Sequence, residues 1–231
     1  MQADHVVVGT AFQARPDLRI SLEAYRKPYR DYPVSVDFPA LTLANSGIGF
    51  DMANILFPMT SQGRGRAEGL EVFVKKRLSG GRYGQMAYSL SRTEQAALDG
   101  ILRRGAFDTP HVLTLLGGST LGGRWDVSGR FTYASGRVYT PALMPESLGQ
   151  NRLIYDLAQF NALRLPNLHR LDLRLDRKLR WRRADLSFFV EAQNVYNRRA
   201  IVEYEWNAKT HEPHGVKQLG LLPILGLNVK F

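Results

Sequence analysis

The stretch "LDLRLDRKL", residues 171–179, alternates between leucine and charged residues over most of its length. Leucines occupy positions 171, 173, 175 and 179, and charged residues occupy positions 172, 174, 176 and 178. Side chains of a β-strand alternate between the two faces of a sheet, so this stretch predicts a strand with one apolar and one charged face. Such a strand separates an apolar environment from a wet one.

The same alternation recurs along the chain, for example in residues 18–24, 125–133 and 225–231. A period of two sustained this widely predicts an all-β protein. The best candidate for a helix is "RTEQAALDGIL", residues 92–102, inside a connection. About nine strands are predicted: 4–14, 18–30, 63–78, 82–92, 110–120, 125–135, 167–179, 184–197 and 217–231.

The connections between these strands alternate strictly between short and long. The short ones are 15–17, 79–82, 121–124 and 180–183, and the long ones are roughly 31–62, 93–109, 136–166 and 198–217. In an antiparallel up-and-down meander, this places every tight turn at one rim and every long loop at the other. Outer-membrane β-barrels sort their connections in this way, whereas soluble sandwiches use Greek-key crossings. The pattern predicts a transmembrane β-barrel with its leucines facing lipid.

Composition restricts the function classes further. The net charge is +10, but no compact basic run is present, so nucleic acid is not a predicted partner. Dispersed positive charge fits a surface that meets phosphate-rich lipid headgroups. The chain has no cysteine, and no spacing supports a catalytic triad, a carboxylate pair or a metal site. We therefore predict no enzyme, no cofactor, and no catalytic, cofactor-binding or metal-binding residue.

Several stretches, taken in order, resemble TonB-dependent outer-membrane receptors. They are "GRGRAEGLEVFVKKRL" (63–78), "GAFDTPHVLTLLGG" (105–118), "FTYASGRVYTP" (131–141), "LSFFVEAQNVYNRR" (186–199) and "LGLLPILGLNVKF" (219–231). The resemblance implies that residues 1–231 are the carboxyl-terminal portion of a 22-stranded barrel. Nothing in the sequence matches the family's plug domain or TonB box. Nine is also an odd number, and bacterial barrels have even numbers of strands, so we expect a part of a larger barrel.

The resemblance also implies a function. The chain would form part of a bacterial outer-membrane transporter for TonB-energised uptake of a siderophore, cobalamin, glycan or similar ligand. The TonB complex would act only through the missing plug and TonB box, and the barrel-assembly machinery would read the terminal Phe231. Two alternatives stay open: a passive porin-like channel, and a soluble β-rich binding or adhesion module.

The charged face of the strands supplies the candidate site. Functionally, these side chains would hold a plug or line the path of the ligand; alternatively, they only solvate the barrel interior and pair across strands. The predicted lumen-facing residues are Glu71, Lys75, Arg130, Asp172, Arg174, Asp176, Glu191 and Lys230.

Overall fold

A computed structural model describes residues 1–45, 58–181 and 184–230 of the protein. An antiparallel sheet of eleven strands dominates it, and nine long strands of that sheet are ordered β2-β3-β4-β5-β7-β8-β11-β12-β15. The two short members are β1, which pairs with β3, and β6, which pairs with β5. The strands are β1 Gln2–Ala3, β2 Val6–Arg15, β3 Leu18–Ser35, β4 Met59–Ser79, β5 Arg82–Ala96, β6 Leu102–Arg104, β7 His111–Leu121, β8 Trp125–Ala134, β9 Val138–Tyr139, β10 Leu163–Arg164, β11 Leu168–Trp181, β12 Ala184–Gln193, β13 Ile201–Asn207, β14 Glu212–Lys217 and β15 Leu222–Lys230.

The predicted all-β meander is confirmed, and each of the nine predicted strands overlaps one long strand. Every long strand pairs with its sequence neighbour among the long strands, as an up-and-down order requires. Within the described ranges no pairing joins β2 to β15, so the sheet is open there. The greatest differences in length are at the long-loop rim, where β3, β4 and β5 extend beyond their predicted ends and β12 and β15 are shorter than predicted.

The best local candidate for a helix, residues 92–102, does not form one. Residues up to Ala96 belong to β5, because Glu94 pairs with Arg66 of β4 on one side and with Arg104 of β6 on the other. A helix forms instead at α1, Met144–Gln150, where Pro145 occupies the first turn and Asn151 closes the end in a left-handed conformation. None of the helices in the described ranges is long and apolar enough to cross a membrane.

The sheet has two chemically different faces. One register row of the first face runs Thr10, Leu22, Val72, Tyr88, Leu113, Tyr133 and His169. Large apolar side chains on this apolar face are exposed, including Leu70 at 54% and Leu225 at 68%. No described part of the chain covers them, so the apolar face lacks the second layer that a soluble sheet requires.

The buried core lies at the long-loop rim and not under the sheet. Val34 and Leu41 are fully buried there, and Phe160 packs against Leu41. The Asn161 side-chain amide donates hydrogen bonds of 3.0 Å to the backbone oxygens of Asn45 and Arg104. Three long connections are thereby joined into one packed unit above the sheet.

The other face of the sheet, called the polar face, carries three aromatic rings that lie beside glycines of the neighbouring strands. Tyr25 is the register partner of Gly69, Tyr83 of Gly118, and Phe189 of Gly226. A Cβ built on Gly118 would lie 2.6 Å from the Tyr83 ring, and one on Gly69 would lie 2.7 Å from the Tyr25 hydroxyl. The rings therefore occupy the space that a side chain would fill on the next strand.

We expect Gly118→Ala to lower the free energy of unfolding by about 1–3 kcal/mol, because the new methyl group displaces the Tyr83 ring. Gly117→Ala is the matched control, since its Cβ would approach no atom closer than 3.5 Å. Urea unfolding of the detergent-folded chain measures both. In a Tyr83→Ala background the Gly118→Ala effect should largely disappear; an undiminished effect would show that the ring is not the cause.

Candidate functional site

Seven of the eight predicted lumen-facing residues have described side chains, and all seven lie on the polar face of the sheet, in two separate groups. Arg130, Asp172, Arg174, Asp176 and Glu191 cluster on β8, β11 and β12, where Asp172 faces Arg130 and Arg174 faces Glu191. The remaining residues are apart from this cluster. Glu71 and Lys75 lie on β4, while Lys230 pairs through its backbone with Asp185. That the polar face lines a lumen stays a prediction.

Asp172 is the centre of the cluster and is only 6% exposed. Its carboxylate accepts a hydrogen bond of 2.9 Å from the Arg130 guanidinium, and Arg170 Nε lies 3.0 Å from the other oxygen. The backbone N–H of Asn194 donates a further hydrogen bond of 2.9 Å. One buried carboxylate thus joins β8 and β11 to the start of the loop after β12.

Arg174 forms the second ion-pair group. Its guanidinium donates two hydrogen bonds, of 2.8 and 2.7 Å, to the Asp176 carboxylate and lies 3.4 Å from Glu191. The guanidinium also stacks 3.7 Å from the centre of the Phe189 ring, which itself covers Gly226. The arginine is therefore held by a carboxylate of its own strand and by two side chains of β12.

A third ion pair joins Lys178 to Asp126, which also accepts a hydrogen bond of 2.7 Å from Thr120. Arg170, Asp126 and Lys178 were not in the predicted set, although the same alternation puts them on the polar face. Their neighbours on the facing strands could not be identified without the strand register, which a single strand's sequence does not contain.

The charges on β3 and β4 are arranged differently. Glu71 faces Glu23, and Lys75 faces Arg19, so like charges lie directly opposite each other. These four exposed side chains form no ion pair with any residue in the described ranges. Like charges directly opposite each other are unfavourable, and although the four residues together have no net charge, neither pair is balanced by its direct cross-strand neighbour. The Lys230 side chain and Phe231 lie outside the described residues.

A cavity of about 640 Å³ lies among the long loops. Its lining comes from the segment that follows β8, from Ala106 and Phe107 in the connection before β7, and from the β13–β14 hairpin. Tyr139 and Tyr204 contact each other across it with ring centres 5.1 Å apart. Arg137 at its wall donates a hydrogen bond of 3.1 Å to the backbone oxygen of Val202, which ties the hairpin to the preceding loop.

Two phenols of this cavity stay neutral well beyond neutral pH. Burial raises the pKa of Tyr155, and the neighbouring Glu203 carboxylate raises it further. Burial likewise raises the pKa of Tyr139. Both hydroxyls are therefore hydrogen-bond donors toward an acceptor-rich ligand, and the rings offer stacking surface. Within the described ranges, no group of three or more His, Cys, Asp or Glu residues could hold a metal ion.

The sequence matches no protein-family profile and no curated protein. The structure, however, is similar to several solved structures. It superposes on the ferric-catecholate import receptor Fiu of E. coli K12 with a TM-score of 0.66 and 14% identity, covering 97% of this chain and 27% of that one. The ferripyoverdine receptor of the Pseudomonas aeruginosa outer membrane gives a TM-score of 0.66 and 12% identity, with 98% and 26% covered.

A third similar structure is the siderophore receptor PiuA of Acinetobacter baumannii, with a TM-score of 0.65, 11% identity, and 98% and 28% of the two chains covered. This chain thus spans less than a third of the length of these receptors. Nearly all of it superposes on their backbones, so the predicted fold, an antiparallel up-and-down portion of a β-barrel, is confirmed.

Proposed function

We propose that this chain, which has the fold of a TonB-dependent receptor barrel segment, forms part of the wall and the capture loops of an outer-membrane transporter. The observation that carries the proposal is the uncovered apolar face. A sheet with exposed leucines and valines on one side and ion pairs on the other fits a wall between acyl chains and water. The sorting of long loops to one rim supports the same assignment.

A ferric chelate is the ligand class that we propose. The similar structures are named for ferric-catecholate import, ferripyoverdine binding and siderophore reception. The loop cavity of this chain offers neutral phenols and Arg137, which suit the oxygen-rich, often anionic surface of such chelates. Energy from the TonB complex would reach the ligand through a plug and TonB box outside this chain.

Uptake of radioactive iron tests this proposal. Cells lacking the coding region of this chain should take up less ferric catecholate or ferric citrate than the parent strain, and complementation should restore uptake. An uncoupler of the inner-membrane proton gradient should abolish the difference. Uptake that is insensitive to the uncoupler would indicate a passive channel, and a chain that is monodisperse and folded without detergent would indicate a soluble module.

We expect Tyr139→Leu to weaken binding of ferric catecholate about tenfold or more, because a buried aromatic anchor is typically worth at least ~1.4 kcal/mol. Titration calorimetry of the detergent-folded chain measures the affinity. Tyr196→Leu is the matched control, since Tyr196 is exposed and contacts His169 away from the cavity. Equal losses in both variants would contradict a binding role for the cavity.

A further inference from the structure

A group of arginines interrupts the apolar face near the long-loop rim. Along β4 this face presents Leu70, then Glu68, then Arg66, and along β5 it presents Leu90, then Arg92, then Glu94. The strands on either side add further charged residues to this surface. Arg26 of β3 lies opposite Glu68, and Arg104 of β6 lies opposite Glu94. The arginine patch is defined by Arg26, Arg66, Arg92, Arg104, Glu68 and Glu94.

The charges within the arginine patch do not balance. Glu94 is already held by two arginines, since Arg66 donates a hydrogen bond of 2.7 Å to one carboxylate oxygen and Arg92 contacts the other. Arg26 and Arg104 are exposed, and neither forms an ion pair with the part of the chain that the structure describes. Four arginines against two glutamates leave two positive charges on the outward surface.

The patch also adjoins an amphipathic groove. A groove of about 820 Å³ is formed between the start of β6 and the upper part of β5, with Arg92 and Arg104 in its wall. Leu90, Ile101 and Leu102 line the same groove and are exposed. Cationic and apolar groups thus lie side by side on one surface, which is the arrangement that an amphiphile with an anionic head requires.

We propose that the arginine patch and this groove bind the phosphate-bearing headgroup of a membrane lipid in the leaflet on the long-loop side. The inference rests on the proposed membrane location. In that location Leu70 and Leu90, which lie next to the patch on the same face, would contact acyl chains. Guanidinium groups form paired hydrogen bonds with phosphate oxygens, and Arg26 and Arg104 have donors to spare. The headgroup would supply the negative charge that the patch lacks.

Lipid titration of the full chain tests the proposal. The chain is folded in a neutral detergent, and native mass spectrometry follows binding of phosphatidic acid and of phosphatidylcholine. We expect a preference for phosphatidic acid, and we expect Arg26→Gln with Arg104→Gln to weaken its binding about twenty-fivefold, since each cation near an anionic headgroup contributes roughly fivefold. Inorganic phosphate in millimolar excess should compete poorly, because it lacks the acyl chains.

The matched control is Arg152→Gln with Lys209→Gln, which removes two exposed charges from loops of the same rim outside the patch. An equal loss in the control, equal binding of both lipids, or full competition by inorganic phosphate would overturn the lipid site. Insertion into phosphatidylcholine vesicles, measured by resistance to carbonate extraction, is tested separately. Insertion without lipid preference would refute this inference alone, and failure to insert would refute the proposed function as well.

Discussion

Leu225→Arg is expected to destabilise the chain in a lipid bilayer by about 2–4 kcal/mol, the cost of an arginine on the lipid face of a barrel near the bilayer centre. Leu225 lies in the middle of the apolar residues of β15 and is 68% exposed in the isolated chain. Urea unfolding of vesicle-inserted protein, followed by circular dichroism, gives the free energy. The destabilisation arises from desolvation, since a guanidinium group that faces acyl chains loses its water and gains no hydrogen-bond partners.

The matched control for this prediction is Asn228→Arg. Asn228 lies three residues away in the same strand, is also exposed, and belongs to the polar face, where its register partner is Ser187. We expect this variant to be nearly neutral. If both changes had effects within about 0.5 kcal/mol, as for ordinary surface positions of a soluble protein, the apolar face would not be in contact with lipid.

Asp172→Ala should lower the free energy of unfolding by about 3 kcal/mol, which is typical for removing one partner of a buried ion pair. The change leaves Arg130 and Arg170 facing each other without a counter-charge, and it leaves the Asn194 N–H without its acceptor. Thermal unfolding in detergent micelles at neutral pH measures the loss. Asp172→Asn keeps an acceptor for Asn194 and should lose less.

Asp185→Ala provides the comparison for Asp172→Ala. Asp185 is on β12, its side chain is 74% exposed, and it forms an ion pair of 3.9 Å with Arg180. Exposed pairs of this kind contribute little, so we expect a change below about 0.5 kcal/mol. Similar losses at the two aspartates would mean that Asp172 is not the centre of the network on the polar face.

Much of this architecture could be predicted because most of the long strands have one face that is apolar over several consecutive alternate positions. In β11, Leu171, Leu173 and Leu175 alternate with charged residues, so both the strand and its two faces follow from period alone. The meander order followed from the alternation of short and long connections. Both signals are patterns along the sequence, and neither requires knowledge of which residues face each other across strands.

The features that were not predicted depend on contacts between distant segments. β5 continues to Ala96 because β6 pairs beside it, although "RTEQAALDGIL" has local helical preference. The loop cavity is formed by residues about sixty positions apart, as in the contact of Tyr139 with Tyr204. The arginine patch is similarly invisible in sequence, because its rows join β3, β4, β5 and β6 through register.

The three rings that lie beside glycines have a consequence for how the sequence of this sheet can change. Tyr25, Tyr83 and Phe189 occupy the space that a Cβ on the register partner would need. A larger residue at one of these glycines is therefore compatible with the sheet only if the opposing ring is replaced by a smaller side chain. We expect the two positions of each pair to covary among related sequences, with one bulky and one minimal residue in each pair.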